Sequence, residues 1–289
     1  MAEMAITRKN NSARDLGLML VVWSATAIII AAFTWIIGDF IIHGFERLSW
    51  SFLTTSPSNA GRSGGIAPIL VSTLLILLIA ITVALPIGVA TAAFLSEFTR
   101  VGGRVRQITT LSLDILAGVP SIVFGLFGNA FFCIWLGLGF SILSGGLTLA
   151  CMVLPILIRT TQAGLSSVPD EWRRGASALG LSRGAALTHI LLPAATPAIA
   201  AGLMLGIGRA AAETAALIFT SGYVDRMPSS LDDSGRALAV HIYDLTMNVA
   251  GGDANAYASA LVLISLLILI NSVAVTLTNR YGSQRITAS

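Results

Sequence analysis

The sequence predicts an all-α polytopic membrane protein with six transmembrane helices, and three observations predict it. Charged residues make up 11% of the 289 residues, against roughly 25% in soluble domains. Hydrophobic residues reach 55%, and the mean hydropathy is +0.84. The apolar residues gather in uncharged runs, and a bilayer core of roughly 30 Å needs about 20 of them in a helix. A soluble globule of this size could not hide that much apolar surface. A disordered or nucleic-acid-binding arm is excluded by the same numbers.

The spans follow in chain order. Residues 16–38 form a run of 23 without a charge. It is too long for a signal-peptide core and no A-x-A cleavage site follows, so it is expected as a retained first helix. Residues 66–96 are uncharged and broken only by Pro68 and Pro86. Residues 115–158 form an uncharged run of 44. At about 1.5 Å rise per residue this is too long for one crossing and must hold two helices. The turn between them is expected near Gly137-Leu138-Gly139 or near Ser144-Gly145-Gly146. A fifth span, about 193–219, carries Arg209 and Glu213, and the sixth covers 254–279.

Six spans put both ends on one side, and the positive-inside rule picks that side. Arg8, Lys9 and Arg14 precede the first span. Arg100, Arg104 and Arg106 follow the second. Arg159, Arg173, Arg174 and Arg183 lie between the fourth and fifth, and Arg280 and Arg285 follow the sixth. The other face has only Arg47, Arg62, Arg226 and Arg236. Both termini are therefore expected in the cytoplasm of a cell whose inner membrane holds the chain. The long loop 221–253 is expected outside, with Asp225, Asp232, Asp233, Asp244 and Asp253 in it. Cys133 and Cys151 sit in apolar surroundings and read as small buried or lipid-facing residues. Three scattered histidines make no metal cluster, and no cofactor is expected.

The segment 168–193 joins the fourth and fifth spans. Pro169 suits a helix start, and Asp170 and Glu171 in the first turn complement the macrodipole. Gly180 is expected to end that short helix, with positive φ. A second short helix, 183–192, is expected to stop at Pro193. A simple connection would need only a tight turn, so this amphipathic pair points to a docking role.

This segment resembles the EAA loop of ABC-importer permeases: E-A-A, three residues, G, nine residues, I, one residue, L-P. Gly180, Ile190, Leu192 and Pro193 fall at the matching spacing, as does Ala176. Arg174 and Gly175 stand where Glu and Ala are usual, with Glu171 one turn away on the same face. Three further stretches narrow the likeness. They are the run from Gly64 through Pro86 to Glu97, Asp114-Ile-Leu-Ala-Gly-Val-Pro120 with the Gly125 and Gly128 that follow, and Arg209-Ala-Ala-Ala-Glu213-Thr214. Together they are similar to the A-type permease subunit of bacterial phosphate-specific (Pst) transporters. The resemblance implies a type I ABC-importer permease (MetI-like) core over 64–281, with a coupling loop at 164–192. Residues 1–63 would then be an N-terminal helix and first external loop, and 282–289 a cytoplasmic tail. It further implies a second, paralogous permease subunit, an ATP-binding cassette ATPase dimer, an external phosphate-binding protein, and phosphate as cargo. The chain itself holds no P-loop, since its one lysine, Lys9, completes no G-x-x-x-x-G-K-[ST] string.

Arg209, Glu213 and the adjoining Thr214 are the candidate substrate pathway. A charge at mid-membrane costs roughly 2.5–3.5 kcal/mol on insertion scales. In a continuous helix Arg209 and Glu213 share a face, so one reading is a self-neutralising pair. The other is an anion path, in which the planar donors of Arg209 meet phosphate oxygens and Glu213 orients it. Asp114 reads as an interfacial carboxylate or cap. Gly118, Pro120, Gly125 and Gly128 read either as close-packing devices or as a broken helix beside the pathway. Gly202 and Gly206 read as helix packing. Three competing functions remain: a permease of the same class for another oxyanion or small solute, a proton-coupled secondary transporter using Asp114 and Glu213, and a membrane-embedded enzyme. The second leaves the cytoplasmic helix pair unexplained, and the third lacks a convergent catalytic constellation.

Overall fold

The computed structural model describes the backbone of residues 12–100 and 102–286, and the side chains of 15–100 and 102–276. Arg8, Lys9, the side chains of Arg14, Arg280 and Arg285, and residues 287–289 of the expected tail lie outside the described part. α1 (Ser12–Phe45) is one 34-residue helix. A single turn, α2 (Trp50–Thr54), is capped by the Ser49 hydroxyl, which accepts the Phe52 N–H. A hairpin of β1 (Pro57–Ser58) and β2 (Ser63–Gly64) leads into α3 (Ala67–Ala93), which ends in a π turn at Phe94–Phe98.

The 44-residue run holds more than two straight helices. α4 (Arg104–Gly118) and α5 (Ser121–Gly128, extended by the π segment Asn129–Trp135) meet at a bend of 103°. The bend falls at Val119 and Pro120, both with extended ψ of 130° and 143°. Pro120 has no N–H to continue the ladder, and its ring drives the preceding Val119 out of the helical region. The helix breaks at Val119–Pro120, while Gly125 and Gly128 further along are close-packed. The turn that follows uses Gly137 and Gly139, both at positive φ. Ser144, Gly145 and Gly146 instead lie in the first turn of α6 (Ile142–Ser167), whose cap is the Ser141 hydroxyl.

α7 (Asp170–Ala178) is the first short helix expected in the segment 168–193. The second one differs from expectation. α8 (Arg183–Ala186) passes through a π turn, Leu187–Leu191, straight into α9 (Leu192–Ala211), forming a single 29-residue helix, Arg183–Ala211. Pro193 does not stop it. A proline ring clashes with the carbonyl four residues back in a regular α-turn, and the wider π turn just before Pro193 opens that space. α9 ends at Ala211, α10 (Ala215–Ile218) is one turn, α11 (Leu238–Met247) lies in the polar stretch after it, and α12 (Asp253–Ile286) closes the chain.

Five helices are long and apolar enough to span a membrane, and the bent α4–α5 pair makes six when counted as one span. The core is α6 between α3 and α9. Ile76, Leu77, Ala80 and Ala84 of α3 meet Leu149, Met152, Val153 and Leu157 of α6, with Ala210 and Ala211 of α9 behind them. Gly202 of α9 packs so closely on Thr160 of α6 that a Cβ would overlap the threonine hydroxyl, which is the helix-packing role expected of it. α1 rests on α12, and its apolar surface is exposed along nearly its whole length.

Candidate functional site

The candidate residues separate into two places. One is the end of the bundle that carries the segment 168–193. α7 leaves α6 through Val168 and Pro169, and its first turn carries Asp170 and Glu171. It ends in a Schellman motif, with Leu181 N–H donating to Ala176 O at 3.0 Å and Gly180 N–H to Ser177 O at 3.1 Å. Gly180 has φ +74° with open space around it, so the sequence expectation of a positive-φ turn holds. Ser182 then caps α8 by accepting the Ala185 N–H.

Glu171 and Arg174 pair with each other at 2.8 Å, both well exposed. Gly175 is open on its outer side, while Ala176 is buried. Ile190 and Leu192 face inward and pack against Leu165, Val168 and Ala195. The motif residues thus divide: Ala176, Ile190 and Leu192 seat the loop, and Glu171, Arg174 and Gly180 face outward. Trp172, Leu179 and Leu181 were not singled out by sequence reasoning, yet they are exposed, with Leu179 at 82%. Large apolar side chains in a short charged loop are the signal that marks such a face.

Arg173 was also missed. Its guanidinium donates to both oxygens of Glu97, at 3.2 Å and 2.8 Å, and to the carbonyls of Leu165 and Val168, each at 2.8 Å. Asp170 accepts a fifth bond at 3.3 Å. The Glu97 hydrogen bond holds the guanidinium above its ordinary pKa. No sequence periodicity links residues 76 positions apart.

The second place is the break after α9. Arg209 sits in the last turn of α9 and lines a cavity of about 40 Å³ with Leu116, Ala117, Phe124, Met152, Pro155 and Ile156. Its side chain has no hydrogen bond or ion pair among the described residues. The expected pairing with Glu213 does not form. The helix ends at Ala211, so the four-residue spacing no longer puts both on one face. Glu213, 9% exposed, turns to α10 and accepts the Ala216 N–H at 3.1 Å. An anion is favoured at the N-terminal end of a helix, and this contact satisfies it. Thr214 starts α10 without a side-chain capping bond. Asp114 does not act as a cap; largely exposed, it pairs with Arg159 of α6, which also donates to Thr110 O at 3.1 Å. Gly125 and Gly128 are close-packed against α10, α6 and Thr220. A larger cavity of about 350 Å³, lined by Glu46, Arg47 and Asn255 among others, lies at the end of α1 and contains none of the candidate residues.

Both places can be set beside known proteins. The family described as "Binding-protein-dependent transport system inner membrane component" matches residues 84–285. The chain is 33% identical over 258 residues to the probable ABC transporter permease protein YqgI of Bacillus subtilis, covering 84% of this chain and 87% of that one. It is 33% identical over 246 residues to the phosphate transport system permease protein PstA of Mycobacterium leprae, covering 82% and 79%. PstA 2 of Mycobacterium tuberculosis is 31% identical over 247 residues, covering 84% and 81%. Among solved structures, a bacterial alginate ABC transporter superposes with a TM-score of 0.67 at 15% identity, over 95% of this chain and 98% of that one. The MetNI methionine ABC transporter gives 0.56 at 15%, over 75% and 94%. The chain belongs to the binding-protein-dependent transport system inner membrane component family, as a multi-pass permease subunit of an ABC importer with the MetI-like fold.

Proposed function

We propose that this chain forms half of the translocation pathway of an ATP-driven importer of inorganic phosphate. The observation that carries the reading is Arg209, an exposed guanidinium at the end of α9 with no hydrogen bond or ion pair among the described residues, lining a cavity beside the α4–α5 break. Placing a charge at membrane depth without a partner is costly, and an anionic cargo offsets that cost when it passes. A planar guanidinium offers paired donors that match two oxygens of a phosphate edge. The PstA relatives support phosphate as that anion. The core over 64–281 would work beside a second, paralogous permease subunit. α7 and the exposed Trp172, Leu179 and Leu181 would dock on an ATPase dimer that supplies the energy, and an external phosphate-binding protein would deliver the cargo. Both termini would lie in the cytoplasm.

The test is uptake of radiolabelled phosphate by cells lacking this chain, with and without its return. Restored phosphate uptake, not competed by excess sulfate, supports the reading. Restored uptake of a different oxyanion with none of phosphate would leave the permease role and overturn the cargo.

A further inference from the structure

We propose that Arg173 is a positioning residue for coupling, the link that makes α3 and α6 move with α7 when the ATPase moves it. The inference rests on the docking of α7 on an ATPase, and goes beyond it by naming which membrane helices receive the displacement.

The geometry around Arg173 is unusually complete. A guanidinium has five N–H donors, and the five bonds described above use all of them. Two hold the carboxylate of Glu97, in the π turn that ends α3. Two hold the carbonyls of Leu165 and Val168, where α6 ends. These carbonyls lie at the C-terminal end of α6, where the dipole is negative, and the Leu165 carbonyl otherwise accepts only the long Val168 N–H bond at 3.4 Å. One side chain on α7 therefore grips the cytoplasmic ends of both α3 and α6. The pair is only partly exposed, at 26% for Arg173 and 13% for Glu97, so solvent screens it weakly compared with the exposed Glu171–Arg174 pair.

The opposite end of α7 is built differently. Gly180 has nothing within 4 Å of where a Cβ would lie. No side chain ties α7 to α8 across that glycine among the described residues. A push on α7 thus meets a five-bond side-chain link toward α3 and α6, and only the two backbone bonds of the Schellman turn toward α8 and α9. α6 carries Met152, Pro155 and Ile156, three walls of the Arg209 cavity. Motion handed to α6 changes that cavity directly, while α9 follows through its close packing at Gly202 and Thr160. The chain of contacts runs from α7 through Arg173 to α6 and the cavity wall.

The experiment uses the whole transporter in lipid vesicles, this chain with its partner permease and ATPase. Spin labels are placed at exposed Ala178 on α7 and at exposed Arg100 beyond α3, in a background with Cys133 and Cys151 replaced by alanine. In the wild type the distance between the labels is expected to stay the same with and without ATP. In Arg173→Gln it is expected to change with ATP, because α7 then moves alone. ATP hydrolysis should persist, and uptake per ATP hydrolysed should fall about tenfold, the scale of one lost charge-assisted hydrogen bond. Arg173→Lys, which keeps the charge but cannot span all five acceptors, should fall between. If Arg173→Gln does not accumulate, Glu97→Gln reads the same link from its other end. A distance that changes with ATP in the wild type overturns the proposal. So does an Arg173→Gln protein with lower thermal stability but unchanged uptake per ATP. Absence of phosphate uptake by the wild type would instead overturn the cargo assignment, and the label distances would still decide the link.

Discussion

The carboxylate of Glu213 accepts the backbone N–H of Ala216 at 3.1 Å, across the gap between the end of α9 and the first turn of α10. Such a contact contributes about 1 kcal/mol, as other capping side chains do. Glutamine keeps an acceptor oxygen, whereas leucine leaves a buried N–H unpaired. Glu213→Gln is therefore expected to keep the abundance and apparent melting temperature of the purified chain close to the wild type, and Glu213→Leu to lower both. Since Arg209 does not pair with Glu213, the effects of Arg209→Gln and Glu213→Gln should add within about 0.5 kcal/mol. A double variant more stable than either single one would show an ion pair after all.

Arg209→Lys separates charge from shape. An ammonium keeps the positive charge beside Met152 and Phe124 but loses the planar pair of donors. Normal membrane abundance with clearly reduced phosphate uptake is expected. Unchanged uptake would remove the guanidinium from the anion path.

The spans were legible because charge is absent over defined lengths, a property that depends on each residue alone. The positive φ of Gly180 and the packing of Gly202 were legible for the same reason: one residue type at one local spacing carries them. The α4–α5 bend was only half legible, since Pro120 sits in a run whose apolarity never changes. The fate of Glu213 was hidden by the assumption that α9 continues. Four-residue spacing means a shared face only inside a helix, and no glycine or proline marks the stop at Ala211. The Arg173–Glu97 link was invisible because it joins residues that only the packing of α3, α6 and α7 brings together. Pro193 misled in the opposite direction, because a π turn is a way past a proline that sequence spacing does not announce.

The proposed orientation makes a direct prediction. A reporter active only in the cytoplasm, fused after Arg285, should be active, and the same reporter inserted beside Asp233 should be silent. Asp233 is half-exposed between α10 and α11, next to the exposed Asp232. The reverse result at Arg285 would mean that the bent α4–α5 pair enters and leaves on one side, giving an odd number of crossings.

His241 of α11 makes stability depend on pH. Its side chain is buried beneath Gly61, with Arg236 Nη1 3.5 Å from Nδ1. Burial pushes its pKa down from 6.5 to about 4, and the charge of Arg236 adds to this while Asp244 opposes it. The folded state therefore favours the neutral ring, and the unfolded chain binds the proton more readily. Stability should be full above about pH 6.5 and fall as pH drops toward 4, by about 3 kcal/mol at most from one such group. Apparent melting temperatures measured from pH 7.5 to 5 should decline in the wild type. The decline should be shallower in His241→Gln, and an equal slope in both would assign the acid sensitivity to other groups.

Gly180 allows backbone conformation to be tested apart from crowding. At φ +74° with open space around it, a side chain there would meet no neighbour, so any penalty comes from the left-handed backbone alone. That penalty is roughly 1–2 kcal/mol for most residues and smallest for asparagine and aspartate. A β-branched side chain fits the region worst. Gly180→Asn is therefore expected to retain co-purification with the ATPase and ATP-driven uptake. Gly180→Val should reach the membrane in normal amount yet lose both, because forcing φ negative undoes the Schellman bonds from Leu181 to Ala176 and from Gly180 to Ser177 and swings α7 away from its seat. Equal performance of the two variants would mean that the turn geometry is not what presents α7, and the docking role would then have to rest on the exposed Trp172 and Leu179 without it.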